Sequence, residues 1–457
     1  MENQKVILNR QFALGSLLLT FVFFAIVSIN GPANAMKIKE VISPGGIKAW
    51  LVEEHAIPVI SMHFAFRGGA SQDPDGREGL AYFVSGMLDE GAGDLSSTEF
   101  QEQVEEVAVK INFDATRDFF TGSFKTLSER RDKAVDLLRL ALTQPRFDED
   151  AIDRIRGQII TGLKFDLNDP NKIAAREWFK LAFPSHPYSR AIKGNDETLI
   201  SVTKADLQDY VSKIFARDNL TIAVVGDITE DQLRQMLDRA FGDLPASARL
   251  SAVPEANPPA GPKTKIIEMK VPQSVAQFGH NGLKRKDKDF TAAFVLNYII
   301  GGGGFSSKLM EEVREKRGLA YSVYSYLSPY LRGAAYIGGV ATENKSVGQS
   351  LQVIRQVFSQ MAKEGPSAED LESAKKYLTG SYALRFDTSS KIASQLMWIQ
   401  IEDLGMDYID KRNDLIESVT LDDVRRVASR LLKADDLIIT IVGNPSDLKK
   451  VDKNQQG

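Results

Sequence analysis

Two stretches of this chain repeat one another. TKADLQDYVSKIFARDNLTIAVVGD, beginning at Thr203, aligns without a gap on TLDDVRRVASRLLKADDLIITIVGN, beginning at Thr420. The constant offset of 217 residues pairs Asp206 with Asp423, Asp218 with Asp435, Leu220 with Leu437 and Gly226 with Gly443. Each copy reads as a helix, a short turn, an apolar strand and a turn at glycine. An ungapped match of this length points to duplication, because a repeat brings its whole structural unit with it. Two homologous halves are therefore expected, 36–243 and 266–450, joined by a proline-rich extended linker over 244–265. Each half mixes strands with long helices and lacks regular βαβ alternation. The expected class is α+β, a mixed or antiparallel sheet with helices on one face in each half.

With 457 residues, 43% hydrophobic and 26% charged, the chain can bury more than one core. A formal net charge of -4 leaves no basic footprint for nucleic acid, so partners are sought among proteins and peptides. The absence of cysteine excludes disulfides, thiolate zinc sites and a cysteine nucleophile. Residues 1–35 carry Lys5 and Arg10, an uncharged run from Phe12 to Ile29 and then Ala33-Asn34-Ala35. This is the pattern of a secretory signal peptide cleaved after Ala35, which places the body outside the cytoplasm, in a bacterial periplasm. The uncharged run is also long enough for an uncleaved inner-membrane anchor. Residues 451–457 form a short polar tail.

The most informative local stretch is GGGGFSSKLMEEVREKRGLAY, Gly301 to Tyr321. Phe305, Leu309 and Val313 recur every four residues, which predicts an amphipathic helix over Ser306 to Arg317. Gly318 suits the left-handed residue that ends it. Tyr321, Val323, Ser325 and Leu327 then alternate with Ser322, Tyr324 and Tyr326, a strand with one aromatic-rich face. Arg314 and Tyr321 are thereby brought close beside a flexible run, Gly301, Gly302, Gly303 and Gly304. A guanidinium and a phenol so placed suit a peptide carbonyl or a carboxylate. A glycine hinge beside a surface arginine is the plainer alternative.

The spacing of Arg314 and Tyr321 in REKRGLAY resembles the substrate-binding arginine and tyrosine of the pitrilysin-like peptidases, family M16. The resemblance covers the whole exported chain. It implies two homologous α+β domains enclosing a cavity of peptide size. Active members carry an inverted zinc motif, His-x-x-Glu-His, on a helix in the first half. Here its flanks match, Gly79-Leu80-Ala81 before and Met87-Leu88 after, but the residues between are Tyr82, Phe83, Val84, Ser85 and Gly86. Both histidines and the glutamate are replaced, and none of Tyr82, Ser85 and Gly86 supplies their chemistry. The region of the family's further glutamate ligand, around 147–163, ends in RIRGQIITGL with no carboxylate. The four histidines, His55, His63, His186 and His280, are scattered and read as structural or surface groups.

INFDAT, Ile111 to Thr116, stands where the family presents an edge strand, which makes Asn112 and Ala115 candidate peptide contacts by strand addition. An ordinary paired strand fits equally. The resemblance as a whole implies a catalytically silent subunit that holds peptide through Arg314 and Tyr321. Such a subunit binds no metal and no cofactor of its own, while zinc belongs to a partner chain bearing His-x-x-Glu-His. A non-enzymatic scaffold, a stand-alone peptide binder and an active peptidase with displaced ligands are the alternatives.

Overall fold

The computed structural model describes residues 36–448. The signal segment and the tail read from the sequence lie outside the described residues. Eleven strands are described, and they form two sheets. The first holds β1 (Lys39–Ile42), β2 (Lys48–Glu53), β3 (Val59–Arg67), β4 (Lys110–Ala115), β5 (Phe119–Leu127) and β6 (Leu220–Gly226). The second holds β7 (Lys263–Glu268), β8 (Gln273–Asn281), β9 (Ala320–Tyr330), β10 (Gly333–Glu343) and β11 (Ile438–Gly443).

The first sheet runs β1-β2-β6-β3-β5-β4 and the second β7-β11-β8-β10-β9. Leaving out β1, the two orders correspond strand for strand. In each, one pair is parallel, β2 with β6 and β7 with β11, and the rest are antiparallel. The repeated sequence thus yields a repeated topology. Its helices even start alike, since Thr203 and Thr420 both accept from the backbone N–H three residues on while Asp206 and Asp423 return the bond. The class is α+β.

Each sheet packs its own helices on one face. In β3, Ile60, Met62, Phe64 and Phe66 point into the first core, which is built from first-half residues and closed by Leu244 at the start of the linker. The second core gathers Ala276, Phe278, Val340 and Ile441 with the second-half helices. The opposite face of each sheet receives a helix from the other half. The Pro170–Ala182 helix, started by Asp169 capping Asn171 N–H with Pro170 in the first turn, packs on β8 and β11. The Ser389–Ile401 helix, capped by Thr388 and at nearly the repeat offset, packs on β3 and β6.

These exchanged helices are tied down by polar bonds as well as by packing. The Trp178 indole N–H donates to the Ile438 carbonyl at 3.0 Å, and the Thr440 hydroxyl donates to the Ala174 carbonyl at 2.8 Å. In the other direction the Gln400 amide donates to the Ile222 carbonyl at 2.9 Å, and His63 Nε2 meets Ser390 Oγ at 2.9 Å. Where the halves meet, a cleft of about 500 Å³ remains, lined in part by Arg67, Asp118, Leu331 and Gln400. The proline-rich segment runs across both halves, with Ser251 N–H on Gln72 and Ala256 N–H on the Arg332 carbonyl.

Three local segments set up the candidate sites. The stripe Leu80, Phe83, Val84, Met87 and Leu88 is buried throughout, but the helix that begins it ends at Ser85, because Gly86 is a poor residue for a helix interior and serves as the cap. Ser96 and Glu99 form a capping box for the Ser97–Val107 helix, and Ile111 lies in β4 as the strand reading placed it. The expected helix over 306–317 is a three-residue turn, Gly304–Ser306, followed by wide helical turns over Met310–Glu315.

Candidate functional site

Tyr82, Ser85 and Gly86 line one cleft of about 430 Å³, together with Asn112 of β4, Ile155 and Gly162 of the Glu149–Asp166 helix, and Lys193. The fold therefore gathers the positions where a zinc site would be built. Their chemistry does not fit one. The Ser85 hydroxyl donates to the Tyr82 carbonyl at 2.7 Å and is committed to its own helix. A side chain at Gly86 would start 3.3 Å from Ile155 Cγ2, closer than ordinary contact. Among the described residues no group of three or more histidine, cysteine or acidic side chains is placed to hold a metal.

Cations of the chain itself occupy the surroundings. Arg154 forks onto Glu90 with bonds of 3.0 and 2.6 Å, and this guanidinium holds the Glu90 carboxyl below its usual range. Lys193 stands 5.6 Å from the Tyr82 ring and pairs with Asp166 at 3.0 Å. Burial pushes the neighbouring Asp89 upward. Neither cation was singled out from the sequence. Arg154 and Glu90 lie 64 positions apart, and no local pattern joins them.

The helix carrying Tyr82 is anchored from behind. Asp73, 4% exposed, accepts from the Gly79 and Ala81 N–H groups at 2.9 Å each. Burial pushes its carboxyl up to about 7 against the pull of those two bonds. The histidines are spread over other tasks. His55 meets Asp227 at 2.7 Å, His186 meets the Pro254 carbonyl at 3.0 Å, and His280 meets the Asn281 carbonyl at 2.8 Å.

β4 is the outer strand of its sheet, bonded only to β5. Asn112 reaches Ser123 Oγ at 3.4 Å and faces the cleft, while Ala115 is buried and its N–H turns to Asp114. β9 is the outer strand of the second sheet. The two stretches singled out from the sequence thus stand on, or lead into, the two open edges.

The glycine run is packed, not loose. Gly301 and Gly302 lie in a wide helical turn, Tyr298–Gly302. A side chain on Gly301 would start 2.4 Å from Ser325 Oγ, and one on Gly303 2.7 Å from the Tyr298 carbonyl. Close approach to β9 explains Gly301, and close approach to Asn297 and Tyr298 explains Gly302 and Gly303, while Gly304, at φ +58, looks onto open space. The turn at Gly304 also rotates Phe305 off the predicted stripe. Leu309 and Val313 are fully buried, whereas Phe305 is 67% exposed.

Phe305 instead carries Arg314, whose guanidinium lies 4.6 Å from the ring centroid. Arg314 is half-buried, and its N–H groups have no acceptor among the described residues. Gly318, at φ +61, ends the helical turns as read. Tyr321 does not follow the alternation. The pairing passes from Ala341 with Ser322 to Thr342 with Ala320, which leaves Tyr321 as the extra residue of a bulge. It is 75% exposed, while Val323 and Ser325 are buried. Its hydroxyl has no partner among the described residues. Tyr324 and Tyr326 stack on the exposed face with centroids 6.2 Å apart.

Known families and structures agree with this geometry. Residues 51–192 match the model of the insulinase family, peptidase family M16, and residues 201–378 match that of the peptidase M16 inactive domain. A non-peptidase homolog, YmxG, of Helicobacter pylori is 27% identical over 88% of this chain and 92% of its own length. An uncharacterized zinc protease, also YmxG, of Bacillus subtilis is 24% identical over 78% of this chain and 86% of its own. The crystal structure of a peptidase M16 inactive domain from Pseudomonas fluorescens superposes with a TM-score of 0.84 at 27% identity, covering 89% of this chain and 98% of that one. A protease structure from Helicobacter pylori shares the fold, with a TM-score of 0.80 at 18% identity over 89% of this chain and all of that one. The chain belongs to the M16 peptidase family, with a second half that matches the family's inactive domain.

Proposed function

We propose that this chain is the substrate-holding subunit of a two-chain peptidase, paired with a second M16 chain that carries the His-x-x-Glu-His helix. The observation that carries the reading is the state of Arg314 and Tyr321. Their polar groups have no partner among the described residues, and they are held by a bulge and an aromatic shelf beside an open sheet edge. An unengaged guanidinium and phenol so placed are donors for a peptide carbonyl, and for the oxyanion that develops there when it is attacked. Zinc in the partner supplies the activated water. The outer strands β4 and β9 give an extended peptide backbone somewhere to pair without regard to its sequence. The signal-like residues 1–35 support assembly outside the cytoplasm, in the periplasm.

The test is peptide hydrolysis, with zinc counted by elemental analysis, for the chain alone and mixed with a His-x-x-Glu-His homologue. Cleavage is expected only in the mixture. It should fall at least about tenfold for Arg314→Ala or Tyr321→Phe, the loss of one transition-state donor. Full activity in both variants, or cleavage with stoichiometric zinc by the chain alone, overturns the reading.

A further inference from the structure

Between the Phe290–Asn297, Ser389–Ile401 and Tyr408–Glu417 helices lies a cleft of about 380 Å³, within the size range of small-molecule sites. Its walls are aromatic, with Phe290, Phe294, Tyr326, Tyr382, Trp398 and Tyr408. The charged groups lining it are the guanidinium groups of Arg285, Arg385 and Arg412 and one carboxylate, Glu402. That carboxylate is engaged. Arg285 Nε donates to Glu402 at 2.6 Å, and its Nη2 donates to the Tyr408 hydroxyl at 2.9 Å.

Among the described residues that line the cleft, no carboxylate is left for the other two. Arg412 is 5% exposed and lies over the Tyr382 ring at 4.1 Å. Its Nη1 donates to the Leu378 carbonyl at 2.8 Å and to Asn413 Oδ1 at 3.0 Å. Its Nε and Nη2, the side-on fork of the guanidinium, have no acceptor among the described residues. Burial pushes the Tyr382 phenol up to about 12, so it supplies no negative charge at neutral pH. Arg385 is exposed and makes no ion pair among the described residues. A guanidinium cannot escape burial by losing its proton, so Arg412 stands as a desolvated cation without a counter-ion.

We propose that this cleft binds a carboxylate carried on an apolar or aromatic body. The carboxylate accepts from Nε and Nη2 of Arg412 in the planar two-bond geometry, with Arg385 adding charge. The body packs against Phe294 and Trp398. Two sources share this chemistry, a free aromatic or branched acid and the C-terminal residue of a peptide. The proposal does not depend on pairing with a second chain.

Trp398 lines the cleft and serves as a fluorescent reporter, with calorimetry as the second readout. The purified chain is titrated with N-acetyl-phenylalanine, with its amide, and with a hexapeptide ending in phenylalanine as the free acid or as the amide. Saturable binding of the acids is expected, weaker by at least about tenfold for the amides, the effect of losing one charge-assisted pair. Arg385→Gln, a surface change that leaves folding alone, should weaken the acids by about threefold. Arg412→Gln should abolish their binding while circular dichroism confirms that it folds. Tighter binding of the peptide acid identifies a peptide C-terminus as the ligand, and tighter binding of the small acid identifies a free carboxylate. Equal binding of acid and amide, or no saturation by either acid, overturns the proposal.

Discussion

Removing Trp178 tests whether the two halves stabilise each other through their exchanged helices. This side chain belongs to the first half in sequence and is fully buried against the second sheet, beside Ala335, Ile337 and Ile438. Truncating a buried tryptophan to alanine costs about 3–5 kcal/mol in lost transfer energy and residual cavity. The Ile438 carbonyl loses its 3.0 Å donor as well, which adds about 1–3 kcal/mol when water does not replace it. Trp178→Ala should therefore lose about 4–8 kcal/mol, a large part of the roughly 5–15 kcal/mol of an ordinary domain. Trp178→Phe keeps most of the apolar body and gives up the N–H, so about 1–2 kcal/mol is expected. The assay is urea unfolding followed by far-UV circular dichroism and by tryptophan fluorescence. Trp50 lies in β2 of the first sheet and Trp398 on the helix that the second half contributes to it. Because the helices are exchanged, both signals should change in one transition, and that transition should move to lower urea in both variants. A loss below about 2 kcal/mol for Trp178→Ala, or two separate transitions in the unaltered chain, would refute the interlock.

Asp73 should make stability depend on pH. Its folded carboxyl is raised to about 7, so between its unfolded value near 4 and pH 7 the folded chain holds a proton that the unfolded chain does not. Stability from this group is thus full below about pH 4 and is lost as pH rises to 7, at a slope of at most about 1.4 kcal/mol per unit. Asp73→Asn should flatten that part of the urea-midpoint profile, and an identical slope in the variant would count against the assignment. Gly301→Ala, which drives a methyl group to within 2.4 Å of Ser325 Oγ, should cost about 1–3 kcal/mol, whereas Gly304→Ala should cost about 1 kcal/mol from its positive φ alone. Equal midpoints for these two variants would show that the run is a loose hinge after all.

Much of this was legible because the repeat carries its structure with it. The offset that pairs Leu220 with Leu437 also pairs β6 with β11, and equal strand orders follow from equal sequences. The class and the position of β4 were within reach of short-range patterns and family resemblance. What escaped depends on contacts between distant residues. The exchange of the Pro170–Ala182 and Ser389–Ile401 helices leaves no local trace, because a helix buried by the opposite half has the same apolar face as one buried by its own. Tyr321 fits a period of two as a sequence, and only pairing with β10 shows the bulge that displaces it. The four glycines read as flexibility because glycine serves both freedom and close approach, and for Gly301 the neighbour that decides between them, Ser325, lies more than twenty positions away.

The cleft around Tyr82 shows how this fold can do without the zinc that its active relatives bind. A divalent cation in such a place would be balanced by the acidic groups around it. Here Asp89, Glu90 and Asp114 still line the cleft, and left alone their charges would repel one another. Arg154 neutralises Glu90 through two bonds, and Lys193 stands between Asp166 and the Tyr82 ring. The positive charge is thus supplied by side chains held in ion pairs. Restoring histidine at positions 82 and 86 and glutamate at 85 would not by itself rebuild the centre. Ile155 crowds the second of these, the third ligand is absent from the Glu149–Asp166 helix near Gly162, and Arg154 and Lys193 would oppose an incoming cation. What remains open to function in this chain is its edges, its bulge and its unengaged arginines.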